Sequence, residues 1–218
     1  MTVATRRVSS RPISPSRCSA RISARRCASL RARRSAEPAS TAGGVTRPGY
    51  SDLLADSGVL IALAAFDPHV AGTPPLGIDL PDSDIDILCH APDADAFCRL
   101  VWSAFADCKG FAMHQWRSGG RPVVARFHDR GWDFELFASP EPVVAQPGWR
   151  HFLVERRLLA LGGDRFRAAV MAARRGGLKT EPAFAAVLGL SGDPYAAMLA
   201  IEAQSDTALA DLLRMRGY

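Results

Sequence analysis

The side chains with the clearest chemistry lie in residues 70–88, Val-Ala-Gly-Thr-Pro-Pro-Leu-Gly-Ile-Asp-Leu-Pro-Asp-Ser-Asp-Ile-Asp-Ile-Leu. Its last part, Ser83 to Leu88, alternates acidic and apolar residues. A strand points successive side chains to opposite faces, so Asp84 and Asp86 share one face and Ile85 and Ile87 the other. Two carboxylates about 7 Å apart on one face suit hard divalent cations, which take oxygen ligands. Two such ions roughly 3.5–4 Å apart can clamp the attacking and leaving oxygens of a phosphoryl transfer. Gly72 and Thr73 precede Asp84 by a loop of ten residues. A glycine lets backbone approach a phosphate closely, and the hydroxyls of Thr73 and Ser83 can donate to its oxygens. The plainer reading of the acids alone is a solvated edge strand.

A second alternating stretch, Trp132 to Phe137, puts Asp133 and Glu135 on one face and Trp132, Phe134 and Leu136 on the other. Further along, His151 and Glu155 are four apart and share a helix face. Two roles are open: His151 meets a phosphate or acts as a base, with Arg150 clamping, or His151 and Glu155 form a buried pair pinning the helix to the sheet. Lys179, beside a predicted helix start near Glu181, suits either a phosphate or bulk water. Zinc spacing, a nucleophile elbow, a Walker loop and a dinucleotide fingerprint are all absent from the sequence.

These groups need a scaffold, and the chain supplies the pattern for one. An amphipathic helix runs from Tyr50 to about Phe66, capped by Ser51, and a helix over Asp93–Asp107 starts at Pro92. Between and after them come strands at His69–Ala71, Ser83–Cys89, Phe111–Arg117, Pro122–His128 and Trp132–Phe137, with a hairpin turn at Ser118-Gly119-Gly120. From Gln146 the pattern is helical, broken at Gly162-Gly163 and Gly176-Gly177, with Thr180 as a cap.

The 218 residues carry net charge +5, but residues 1–48 hold eleven arginines and one acid, which leaves the remainder acidic. That segment lacks an apolar face and is expected to be disordered. An organelle transit peptide, a basic arm for nucleic acid and an upstream start codon in GC-rich coding sequence are the readings it admits. A chain starting at Tyr50 is expected to fold with unchanged stability. Five cysteines without a C-x-x-C pair read as free thiols in a reducing, cytoplasmic setting. No apolar run reaches the roughly 18 residues of a membrane span.

The string hydrophobic-Gly-Thr-x10-Asp-Ile-Asp-Ile resembles the signature of the nucleotidyltransferase superfamily, with Thr73 in the usual serine position. Together with Glu135-Leu136-Phe137, Gln146, Arg150-His151-x3-Glu155-x2-Leu158-Leu159, the run from Gly177 to Phe184 and Gly192-Asp193-Pro194-Tyr195, it resembles the domain of unknown function family 4269. The resemblance covers about Tyr50 to Tyr195. It implies a nucleotidyltransferase-like α/β (α+β) fold: a mixed β-sheet flanked by helices over 49–140, then a helical C-terminal subdomain over 141–218. It implies Asp84 and Asp86 as catalytic metal ligands for Mg²⁺ or Mn²⁺, and Glu135 as the third, with Asp133 as fallback. Gly72, Thr73, Ser83, Arg150, His151 and Lys179 are the expected substrate contacts. The implied reaction moves a nucleoside monophosphate from a nucleoside triphosphate to a hydroxyl on an acceptor, whether small molecule, protein or RNA. The alternative is a catalytically silent binding or regulatory module, antitoxin-like in role.

Overall fold

The two alternating stretches become neighbouring strands, and the sheet is built out from them. The computed structural model describes residues 47–218. Its strands are β1 (His69–Ala71), β2 (Ile85–His90), β3 (Lys109–Gln115), β4 (Val123–Asp129) and β5 (Trp132–Ser139), in the order β1-β2-β5-β4-β3. β2 and β5 run parallel, while the pairs β1–β2, β5–β4 and β4–β3 are antiparallel. This is a mixed sheet flanked by seven helices, as the sequence leads one to expect.

Period two divides the sheet cleanly. Ile85, Ile87 and Cys89 of β2, Trp132, Phe134 and Leu136 of β5, and Val123, Ala125 and Phe127 of β4 pack into one core. Helices α1 (Tyr50–Ser57), α2 (Val59–Ala62) and α3 (Ala94–Phe105) close it with Leu53, Val59, Phe97, Val101 and Phe105. Phe127 stacks between Phe105 and Phe134, at 4.7 and 4.8 Å between ring centres. The opposite face carries the acids. It is only partly covered, by a second core in which Ala71 and Leu88 meet the C-terminal helices.

Those helices are α4 (Pro147–Arg175), α5 (Thr180–Leu188), α6 (Pro194–Glu202) and α7 (Asp206–Met215). The second core is built from Phe152, Leu158, Phe166, Phe184, Met198 and Leu209. α4 is interrupted where the Gly-Gly pair predicts it, at Gly163 (φ 60°, ψ −158°). Gln146 ties the two halves together, its Nε2 donating to the carbonyls of Cys89 (3.0 Å) and Glu141 (2.9 Å).

The local differences from expectation have physical reasons. The first helical stretch is split at Gly58, which adopts a left-handed conformation (φ 68°), and its first turn is entered from Gly49 without a cap from Ser51. Asp93 caps α3 by accepting from the Ala96 N–H at 2.9 Å, which puts Pro92 outside the helix. Thr180 lies inside α5, and no side chain caps that helix. Among the described residues, packing against the sheet is already present at Arg47, upstream of Tyr50. The Arg47 guanidinium lies 3.2 Å from the ring centre of Trp132, and it donates to the carbonyls of Pro81 (2.8 Å) and Ser83 (3.0 Å) and to Asp79 (3.1 Å). The expectations for the basic segment otherwise lie outside the described residues.

Candidate active site

Parallel pairing sets Asp86 directly beside Glu135, and Ile85 beside Phe134. Paired residues face the same way, so Asp84, Asp86, Asp133 and Glu135 share the polar face of the sheet. β4 adds Arg126 opposite Glu135 and His128 opposite Asp133. The acids therefore stand in two rows across three strands, each row ending in a basic side chain.

Gly72 locks the inner row. It turns the chain out of β1 with φ +74°, and a Cβ placed on it would lie 2.1 Å from Asp86 Oδ2. Only a residue without a side chain permits both the conformation and the approach. The loop that follows is fastened to itself. Thr73 Oγ1 donates to Ser83 Oγ (3.1 Å), the Leu80 N–H donates to the same oxygen (2.8 Å), and the Thr73 carbonyl accepts from Leu76 and Ile78 (both 3.2 Å). The Thr73 hydroxyl is thus spent inside the loop rather than offered to a phosphate. Arg167 and Arg174 of α4 donate to the carbonyls of Leu76 and Ile78 and hold the loop against the helices.

Between loop, sheet and helices lies a cleft of about 830 Å³. Gly72, Thr73, Ser83, Asp84, Asp86, Glu135, His151 and Lys179 all line it, so most of the residues singled out in the sequence converge. Two do not. Arg150 turns to Glu202 on α6, donating from Nε at 2.8 Å, so its charge is used across the helical bundle. Asp133 accepts from His128 Nδ1 at 2.9 Å and lines an adjoining hollow of about 350 Å³ beyond Glu135. His151 does not pair with Glu155. Its Nε2 donates to the Tyr195 carbonyl at 3.0 Å, and Nδ1 faces Glu181 at 3.8 Å. Sequence reasoning passed over Trp116, Arg126, Arg174, Glu181 and Tyr195, whose places in the site depend on partners far along the chain.

The electrostatics show a surplus of negative charge. Burial pushes the Asp86 carboxyl up to about 7, Asp84, Glu135 and Glu181 add to this, and Arg126 opposes it. Asp84 is also raised, chiefly by burial. Glu135 is partly neutralised by Arg126, whose Nε donates to it at 2.7 Å. On the helical wall Glu155 is 4% exposed, its Oε1 accepts no hydrogen bond, and burial together with Glu181 raises its pKa well above the usual carboxylate range.

A divalent cation here would meet Asp84 and Asp86, an all-oxygen pair of the hard type it prefers. Among the described residues no group of three or more His, Cys, Asp and Glu side chains is gathered as a metal site. Two carboxylates are nevertheless a sufficient protein share for Mg²⁺, which keeps waters and takes its remaining ligands from substrate phosphates. The donor set and the raised Asp86 carboxyl fit such an ion. Among the described residues no helix is long and apolar enough to cross a membrane.

Residues 52–201 match the family described as Domain of unknown function (DUF4269), and the chain belongs to that family. No curated protein sequence matches the chain. A solved structure described as "structure of GLD-2/RNP-8 complex" is similar at 13% sequence identity and a TM-score of 0.41. The similarity covers 70% of this chain and 54% of that one, so this chain spans about half the length of the structure it matches.

Proposed function

Taking a DUF4269 family member with this cleft as the premise, we propose a metal-dependent nucleotidyltransferase in which an acceptor hydroxyl attacks the α phosphorus of a nucleoside triphosphate, gaining the nucleoside monophosphate and releasing pyrophosphate. The observation that carries the proposal is the Asp86 carboxylate held against Gly72, with Asp84 and Glu135 on the same face. A surface that served only to dock a partner would not need a carboxyl buried until it resists ionisation beside two others.

Asp84 and Asp86 would hold Mg²⁺ or Mn²⁺. That ion would supply charge neutralisation at the transferring phosphorus and lower the pKa of the attacking hydroxyl. The chain's own residues do the rest. The backbone turn at Gly72 lets phosphate oxygens come close to the sheet. Lys179 is exposed at the cleft margin, its ammonium has no hydrogen-bond partner among the described residues, and it would bind the outer phosphates. Trp116 is 49% exposed, packs edge-on against Phe137 at 5.9 Å and offers a ring face on which a base can stack. Glu135, next to Asp86 in register, would accept the proton of the acceptor hydroxyl once the ligand draws it from Arg126.

The ion pair between Glu135 and Arg126 favours a second reading, a silent binding module in which this acid is structural. Thermal melts with nucleoside triphosphate and Mg²⁺ separate the two. The transferase reading expects a stabilising shift that needs both together and disappears in Asp84→Asn. A wild type indifferent to nucleotide and metal supports the module.

A further inference from the structure

The helical wall of the cleft has its own chemistry. Glu155 comes from α4, Glu181 from the first turn of α5 and Tyr195 from α6, and all three line the cleft opposite the acids of the sheet. Glu155 is buried with an oxygen that accepts nothing. Arg174, whose charge acts on Glu155, donates to the Ile78 carbonyl. A buried acceptor without a donor is costly, more so when charged, unless a ligand completes it.

We infer that this wall is a subsite for a protonated amine on the acceptor, bound by Glu155 and Glu181 and faced by the ring of Tyr195. The inference rests on the transferase reading in one respect, that the molecule bound here is the acceptor.

Two observations select an amine. An anion would have to approach two carboxylates, with Asp86, which feels the charge of Glu181, a third acid nearby. An ammonium needs only two or three acceptors and gains from an aromatic face, and Tyr195 is 39% exposed with its ring beside the His151 imidazole at 6.1 Å. The cleft as a whole agrees, since Asp82, Asp84, Asp86, Glu135, Glu155 and Glu181 outnumber Arg174 and Lys179. An amine held on this wall brings a neighbouring hydroxyl of the same molecule toward the sheet acids.

Titration calorimetry on the full chain at physiological salt tests this, using glucosamine against N-acetylglucosamine and putrescine against 1,4-butanediol. At least one amine should bind tenfold or more tighter than its neutral counterpart. Glu155→Gln and Glu181→Gln should each lose at least tenfold in that affinity, while Asp56→Asn, an exposed acid on α1 outside the cleft, leaves it unchanged. Glu181 is the less buried of the pair, so its variant reports even where Glu155→Gln fails to fold.

Equal binding of amine and neutral probes, wild-type affinity in both glutamine variants, or an equal loss in Asp56→Asn would overturn the subsite. So would displacement of the amine by Mg²⁺ alone through Glu155. Binding of ATP with Mg²⁺ is measured in parallel. Nucleotide binding without amine binding sinks this inference and spares the transferase, and amine binding without nucleotide binding does the reverse.

Discussion

Replacing Asp86 by Asn should stabilise the metal-free protein, and by an amount that grows with pH. The carboxyl ordinarily titrates near 3.8 and is pushed up to about 7 in the fold. Between those values the native chain holds a proton that the unfolded chain has released, so stability falls as pH rises through this window. Below about pH 4 both states are neutral and the penalty is absent. Above about pH 7 it is complete, about 4 kcal/mol at about 1.4 kcal/mol per pH unit. Part of this passes to Asp84, which becomes easier to ionise once its neighbour is neutral. The net gain for Asp86→Asn is therefore roughly 2–4 kcal/mol at pH 8. For a chain of this size that is a rise in Tm of roughly 5–15 °C. The assay is a set of thermal melts in EDTA at pH 4, 6 and 8 for wild type and variant. Saturating Mg²⁺ with nucleotide should reverse the order, since only the wild type gains RT ln(1 + [L]/Kd). A variant whose Tm difference from wild type is the same at all three pH values would refute the reasoning, because it would mean that burial and the neighbouring acids do not resist the ionisation of Asp86.

Gly72→Ala should cost roughly 2–4 kcal/mol, combining a left-handed backbone with a Cβ driven into Asp86, and should abolish the Mg²⁺ response; denaturant unfolding and metal titration read the two effects. Arg47→Ala should lower stability by about 1–2 kcal/mol through loss of the stack on Trp132 and the bonds to the 79–83 loop, with a change in tryptophan fluorescence, and a wild-type melt would contradict it. His151→Ala should cost about 1–2 kcal/mol, because the Nε2 bond to the Tyr195 carbonyl ties α4 to α6, and it should weaken amine binding by loosening Tyr195 rather than abolish nucleotide binding.

The alternation of Asp84 and Asp86 against Ile85 and Ile87 was readable because period two is imposed by the backbone itself. The same rule found Glu135, but its register beside Asp86 depends on parallel pairing across nearly fifty residues, which no local pattern encodes. Gly72 was readable as a position of close approach. What approaches it is its own chain's Asp86. The departures share one cause. The sequence points Arg150 at a phosphate because Glu202, its partner, lies 52 positions away, and of the two roles open to His151 the pair with Glu155 follows helical spacing, while the tertiary fold supplies Glu181 and Tyr195. Arg126 gave no signal, since a single arginine on an amphipathic strand looks solvated until the facing acid is known. Arg47 carries no local mark within a basic segment of like composition, and its stack on Trp132 depends on the tertiary fold.

The central claim is nucleotidyl transfer at Asp84 and Asp86, and isotope position tests it most directly. Purified protein is incubated with cell extract, Mg²⁺ or Mn²⁺, and nucleoside triphosphates labelled at either the α or the γ phosphorus. The account predicts label in an acceptor from the α position alone, dependent on the metal and lost in both Asp84→Asn and Asp86→Asn. Label arriving from the γ position, or α label that persists in the two variants, would contradict it.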